Sequence, residues 1–372
     1  MTLPTVGALA ERASVATGLS DFGSDGWQLG LDHLLDALST DLARQPDLQS
    51  AIADMVVARL ANRLRVEEWY RLSEERPPPM QGPLVIVGLP RSATTALHYL
   101  LGIDPQFRFT RGWEMAEPVP PPDPATEAGD RRRRAALSSN TDVQHISSAD
   151  GPVEDGMIHA LHFGHQEMAI PVPTYTRWWR HRDLTGTFGY QERVLRLLHS
   201  RRPPHLWLLK APAYLFHLGS MSRHYPAARF VMTHRDPTRT IPSACSVVYT
   251  TRRSSLPAYR QDKASLGADM LEHFAEGMRM AMAARGQIGE DRFLDVSHEQ
   301  VEEHPVRTAQ RIYGFAGLDL SEETLSRMQD WAAANRRGSR GAHDYSAEDY
   351  GLFPAKIDEE FADYRRAFAS YL

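Results

Sequence analysis

The run Leu84-Val-Ile-Val-Gly-Leu-Pro-Arg-Ser-Ala-Thr-Thr-Ala-Leu-His-Tyr-Leu-Leu101 constrains the fold more than any other stretch of the chain. Its first four residues are apolar and mostly β-branched, the composition of a strand buried on both faces. Gly88 and Pro90 break that strand, and Ser92, Thr94 and Thr95 supply cap-type hydroxyls before an apolar helical segment. A strand, a tight polar turn and a helix in succession aim unpaired backbone N–H groups and the positive end of a helix dipole at an anion. Arg91 lies in the turn, where a guanidinium forks onto two phosphate oxygens. The stretch reads as a phosphate-binding loop.

The rest of the chain says which phosphate. Short β-rich runs recur at His205 to Lys210, Arg229 to Thr233 and Arg292 to Val296, separated by helical patterns. Helices are expected at Glu154 to Gln166, Gln191 to His199, Ala213 to His224, from Pro237 with Asp236 as N-cap, and over Pro305 to Phe315, Glu322 to Ala334 and Lys356 to Ala369. Alternation of this kind predicts an α/β fold with a central parallel sheet flanked by helices. In such sheets ligands bind beyond the carboxyl ends of the strands. Those ends deliver Arg91, Lys210 and His234-Arg235-Asp236, while the last delivers Ser297-His298-Glu299. Lys210 is one of only three lysines among 42 lysines and arginines, so its position carries weight. Three cationic strand ends predict an anionic ligand with at least two phosphate-like groups.

Ahead of the sheet, residues 1–80 form an N-terminal helical extension, and 81–372 the α/β domain. Leu31, Leu34, Leu35 and Leu38, then Ile52, Val56, Leu60 and Leu64, have helical spacing. Pro77-Pro78-Pro79 separates the two parts, because consecutive prolines refuse helix. Arg108 to Glu114 is expected as a short extended segment, and five prolines between Pro118 and Pro124 make that stretch irregular. The run Arg131 to Arg134 reads as a solvated helix face. His159, His162 and His165 are spaced to share a face, but no matching carboxylate pattern accompanies them, which favours packing over metal.

Composition narrows the function classes. A net charge of −5 argues against a general nucleic-acid binder. One cysteine, Cys245, permits neither an intrachain disulfide nor a cysteine zinc cluster. The early charges Glu11, Arg12 and Asp21 and the lack of a long apolar run predict a cytoplasmic protein without a membrane span. Relative to a nucleoside-triphosphate loop, Gly88 to Thr95 lacks the second glycine and the lysine, which favours a metal-free phosphate site over a kinase or ATPase.

Leu89-Pro-Arg-Ser-Ala-Thr-Thr95 resembles the 5′-phosphosulfate loop of sulfotransferases that use 3′-phosphoadenosine 5′-phosphosulfate (PAPS). Val231-Met-Thr-His-Arg-Asp-Pro237, with Ser243 downstream, resembles their 3′-phosphate segment, and Arg336-Arg-Gly-Ser-Arg-Gly341 their nucleotide-covering loop. Leu208-Leu-Lys-Ala-Pro212 is similar to the strand-end lysine segment of the bacterial branch. The resemblance runs in order from Leu84 toward the C-terminus and implies a P-loop-like three-layer sandwich. It also implies sulfuryl transfer from PAPS to a hydroxyl of a small acceptor, with 3′-phosphoadenosine 5′-phosphate (PAP) as product and no metal. On this resemblance Pro90, Arg91, Ser92, Ala93, Thr94, Thr95, Arg235, Ser243, Arg337, Gly338 and Arg340 hold the nucleotide, and Arg91 and Lys210 stabilise the leaving phosphate. Pro212 occupies the position of the animal enzymes' catalytic histidine. Glu114 therefore becomes the expected general base, as in the carbohydrate and protein-tyrosine branches, with His217, Glu117, His162 and His165 as alternatives and His98 as a packing residue. Ala93 stands where glycine is frequent, and alanine resists a positive φ. Phe163, Tyr175, Trp178 and Trp179 point to a lipophilic acceptor. A nucleotide-dependent kinase and a PAP-binding protein without transfer activity are the alternatives. Homo-oligomerisation is common among soluble enzymes, and no segment identifies an interface.

Overall fold

The strand Leu84–Gly88 (β1) is buried along its whole length, as its residue types demand, and it occupies the centre of the sheet. The structure, a computed structural model, describes residues 3–24, 26–75, 77–139, 148–203, 205–257, 259–335 and 346–372. The other strands among the described residues are Phe107–Arg108 (β2), Leu206–Lys210 (β3), Arg229–His234 (β4) and Phe293–Ser297 (β5). Their order is β2-β3-β1-β4-β5, and every pairing is parallel. β1 lies in register with both neighbours, Leu84 opposite Leu208 on one side and Arg229 on the other.

The period-2 alternation of the strands divides the apolar residues between two helical layers. Leu84, Ile86, Leu208 and Val231 pack with Leu97, Leu100, Ile312 and Met328. These come from the helices Thr94–Leu101, Pro305–Ala316 and Glu322–Ala334. Val85, Val87, Leu209, Phe230 and Met232 face the opposite cluster, built on helices including Thr185–His199, Pro237–Ser255 and Lys263–Ile288. The result is a three-layer α/β sandwich with helices on both faces of a parallel sheet.

The N-terminal region consists of the helices Val6–Thr17, Trp27–Asp41 and Pro46–Leu72. Leu31, Leu34, Val56, Leu60 and Leu64 belong to the same buried cluster as Val85, Phe163 and Trp179. Arg59 and Glu167 add a 2.6 Å ion pair between this region and the rest. No helix among the described residues is long and apolar enough to cross a membrane.

Local expectations and structure part company at several places. Of the expected extended segment only Arg108 is strand, as the end of β2; residues Gly112–Ala116 form a helix, whose Glu114 carboxylate accepts from the Arg111 N–H at 2.9 Å. The segment after Glu154 winds as a tighter 3₁₀ helix, Asp155–His162, which stops where Phe163 turns left-handed at φ 50°. Ala213 to His224 divides into a 3₁₀ turn, Pro212–Phe216, and a helix, Leu218–His224. The C-terminal segment likewise breaks into Pro354–Glu360 and Ala362–Ala367. Asp236 caps its helix as expected, accepting from the Thr238 N–H at 2.8 Å.

Candidate active site

The chain leaves β1 toward β2 and leaves β4 toward β5, so the loops after these neighbouring strands diverge and open a crevice between them. Gly88 makes their close approach possible. A Cβ there would lie 2.3 Å from the Thr233 hydroxyl and 2.5 Å from its carbonyl oxygen, closer than side-chain carbons come. Ser92 is buried, and its hydroxyl bonds the Leu89 carbonyl and Thr233 Oγ1, each at 2.6 Å. Its hydroxyl thus ties the loop to β4. Arg91 and Ala93 turn left-handed, at φ 67° and 71°. Thr94 and Thr95 open the following helix, whose first-turn N–H groups have no intrahelical acceptor and face the crevice end of the sheet.

Alanine in the left-handed region carries a steric cost of roughly 1–2 kcal/mol that glycine avoids. After glycine's larger unfolded-state entropy is offset, Ala93→Gly is expected to raise stability by about 0.5–1 kcal/mol. Urea unfolding checks this; a fall in the midpoint would show that Ala93 bears no strain.

Three of the expected ligand residues meet beside this loop. Arg91 donates through Nε to Ser243 Oγ at 3.2 Å, and Arg235 donates through Nη1 to the Arg91 carbonyl at 2.7 Å. Arg235 follows β4, and Ser243 lies on the helix that Asp236 caps. His234, by contrast, is buried between Tyr364 and Asp295, its ring nitrogens 3.1 and 2.8 Å from them, and it serves the packing. Arg235 also lines a polar cavity of about 440 Å³ with Arg239, Ser297 and His298. Arg337, Gly338 and Arg340 lie outside the described residues.

Lys210 closes the other side of β1. The residue is only 3% exposed, and its Nζ lies 3.0 Å from Glu154 Oε1 and 3.5 Å from Thr95 Oγ1. Its backbone N–H is held at 2.6 Å by Asp155 Oδ1, which fixes the end of β3. The other Asp155 oxygen accepts from Gln191 Nε2 at 2.7 Å and from the Tyr214 hydroxyl. Burial pushes the Asp155 carboxyl up to about 6 against the pull of these donors. Sequence reasoning missed Glu154, Asp155, Gln191 and Tyr214. Glu154 and Lys210 are 56 residues apart, and no local spacing links them.

Glu114 occupies a different environment. It is fully buried, and Oε1 takes Nη2 groups of both Arg108 and Arg111 at 2.5 Å, while Arg111 also joins Glu127 at 2.5 Å. Burial would raise its pKa, but the charges of Arg108 and Arg111 outweigh burial and hold it below the usual range. A carboxylate so committed is a poor proton acceptor and a strong structural tie. Glu117 pairs with Arg131, and Arg132 and Arg133 pair with Asp130 and Asp150, so acids answer three of the four consecutive arginines.

The histidines are packed. His98 sits against Phe109; His162 meets Thr187 Oγ1 at 3.1 Å; His165 meets the Gly156 carbonyl at 3.1 Å; and His217 stands edge-on to Trp179. Burial pushes both His162 and His217 down to about 3, so both are neutral near pH 7. His159, for its part, faces Phe188 and Tyr214. Phe163, Tyr175 and Trp179 are core residues, with the Tyr175 hydroxyl bonding the Phe163 carbonyl and the Trp179 indole the Gly164 carbonyl. Trp178 stacks on His33. The aromatic cluster therefore gives no separate evidence for an apolar acceptor.

The loop after β1 and the helix start after β4 thus bring Arg91, Arg235 and Ser243 together at the switch point of a parallel sheet. Residues 83–322 match the sequence model of the sulfotransferase family, and the chain belongs to that family. Two solved structures share its fold over nearly the whole length. Sulfotransferase STF9 from Mycobacterium avium is 28% identical, with 99% of this chain and 97% of that one aligned at a TM-score of 0.88. Sulfotransferase STF1 from Mycobacterium tuberculosis H37Rv is 27% identical, with 97% and 99% aligned at 0.82. No match was found among curated proteins.

Proposed function

We propose that the chain transfers a sulfuryl group from PAPS to a hydroxyl of a small acceptor. One observation carries this reading: Arg235 and Ser243 meet Arg91 in the loop after β1, and Lys210 at the end of β3 lies 3.5 Å from Thr95 at the start of the loop helix. PAPS supplies a sulfuryl group bound to a phosphate that leaves as an anion. The loop from Pro90 to Thr95 holds the phosphosulfate with backbone N–H groups and Arg91. Arg235 and Ser243 hold the 3′-phosphate, and Arg337, Gly338 and Arg340 cover the nucleotide. Lys210, itself almost fully buried, stabilises the charge that grows on the departing phosphate oxygen. Positioning and electrostatics account for most of the acceleration, as in phosphoryl transfer. Glu114 holds Arg108 and Arg111 in place.

The 3′-phosphate assignment has a selective test. A charge-assisted hydrogen bond contributes about 1.5–3 kcal/mol, so Arg235→Ala should weaken PAP binding on the order of 10–100-fold. ADP, which has no 3′-phosphate, should bind the variant within about threefold of its wild-type affinity. Calorimetric titration of both ligands checks this, and an equal loss for the two would overturn the assignment.

A further inference from the structure

We propose that Glu154 is the general base that takes the proton from the acceptor hydroxyl. The inference rests on the sulfuryl-transfer reading above and names the residue that completes it. Transfer to a neutral hydroxyl needs a proton acceptor within hydrogen-bond reach of the attacking oxygen. Glu114 is closed off by two guanidiniums, and Asp155 by the Lys210 N–H, Gln191 and Tyr214. Glu154 differs from both. Its side chain is 48% exposed, so solvent and an acceptor can reach it. Its Oε1 lies 3.0 Å from Lys210 Nζ, the cation that is itself 3.5 Å from Thr95 at the start of the loop helix. It also immediately precedes Asp155, whose bond to the Lys210 N–H clamps this backbone against the end of β3. A carboxylate is thus anchored beside the reaction centre by a buried neighbour while its own head group faces outward.

The pairing with Lys210 gives the two residues complementary work. The anionic oxygens of a phosphosulfate on the loop compete with Glu154 for the ammonium. Once Lys210 turns to them, Glu154 is released as an acceptor of protons. The step balances: the acceptor O–H bond breaks and its proton passes to Glu154, while the acceptor oxygen bonds sulfur. The sulfur–oxygen bond to the 5′-phosphate breaks, and its electron pair leaves on the phosphate oxygen beside Lys210. Bulk water then removes the proton from Glu154.

The test uses full-length protein, PAPS, and two probe acceptors, phenol and 4-nitrophenol, at about pH 8.5, where the second is already an anion and needs no base. Base catalysis contributes on the order of 100-fold or more. Glu154→Gln should therefore lower the ratio of phenol to 4-nitrophenol turnover by at least about 30-fold. The acidic limb of the wild-type pH profile with phenol should vanish in the variant. PAP affinity, measured in parallel, should move by less than about threefold. Glu154→Asp should recover part of the phenol rate. An equal loss with both acceptors, with the pH limb retained, would overturn the base assignment and leave Glu154 as a lysine partner only. Failure of the wild-type protein to bind PAP would instead overturn the sulfuryl-transfer reading itself.

Discussion

Lys210→Met is expected to slow sulfuryl transfer on the order of 100–1,000-fold while PAP affinity falls less than about tenfold. The asymmetry follows from where the ammonium sits. Lys210 is almost fully buried at the end of β3, its backbone pinned by Asp155 and its Nζ beside Thr95. A fixed cation in a site of low effective dielectric interacts most strongly with charge that appears only in the transition state. Methionine keeps the length and packing of the stem and removes the charge. Glu154, the partner left behind, is half exposed and can be solvated, so the variant should remain folded. Initial rates with a phenolic probe acceptor, set beside a PAP titration, separate the two effects. A loss of binding as large as the loss of rate would place Lys210 among ground-state ligands.

The second large effect concerns stability. Glu114→Ala should cost roughly 3–5 kcal/mol, because it leaves the guanidiniums of Arg108 and Arg111 buried without their shared carboxylate. Folding holds the Glu114 pKa below its usual value, through Arg108 and Arg111 acting against burial. The sign of the linkage follows: a depressed carboxylate contributes stability that is present above its unfolded pKa and is lost as pH falls through the folded one. Wild-type stability should accordingly decline on acidification below the ordinary carboxylate range, and the Glu114→Ala variant should show a shallower decline there. Urea midpoints measured between neutral and acidic pH check both statements. A cost below about 1 kcal/mol would show that the cluster is not the tie described here.

The parts of the fold set by local chemistry were legible in the sequence. The apolar run at Leu84, the breaks at Gly88 and Pro90, and the Asp236-Pro237 cap each specify their structure within a few residues. The strand-end rule then placed Arg91, Lys210 and Arg235 in one region without knowledge of any contact. Long-range pairing was not legible. The helix Val6–Thr17 carries few large apolar residues, and Lys263–Ile288 mixes Met, Ala and charges, so neither shows a strong stripe. Glu114 illustrates how a correctly noticed residue changes character once its neighbours are known. Its Arg108 and Arg111 partners lie six and three residues away in the chain, but burial is what turns them from solvated charges into a closed cluster. Glu154 was invisible for the opposite reason: its meaning comes from Lys210, which the chain reaches only after a 3₁₀ helix, two α-helices and a strand.

Ligand-induced stabilisation distinguishes a PAPS site from an ordinary nucleotide site. A ligand that binds only the folded state stabilises it by about 2.7 kcal/mol at a hundred times its dissociation constant. Saturating PAP should therefore raise the melting temperature by several degrees, on the order of 3–5 °C for a chain of this size. ADP and ATP at the same concentration should raise it by less than about 1 °C, since neither offers a 3′-phosphate to Arg235 and Ser243. Equal shifts for the three nucleotides, or a shift with ATP alone, would contradict a PAPS site.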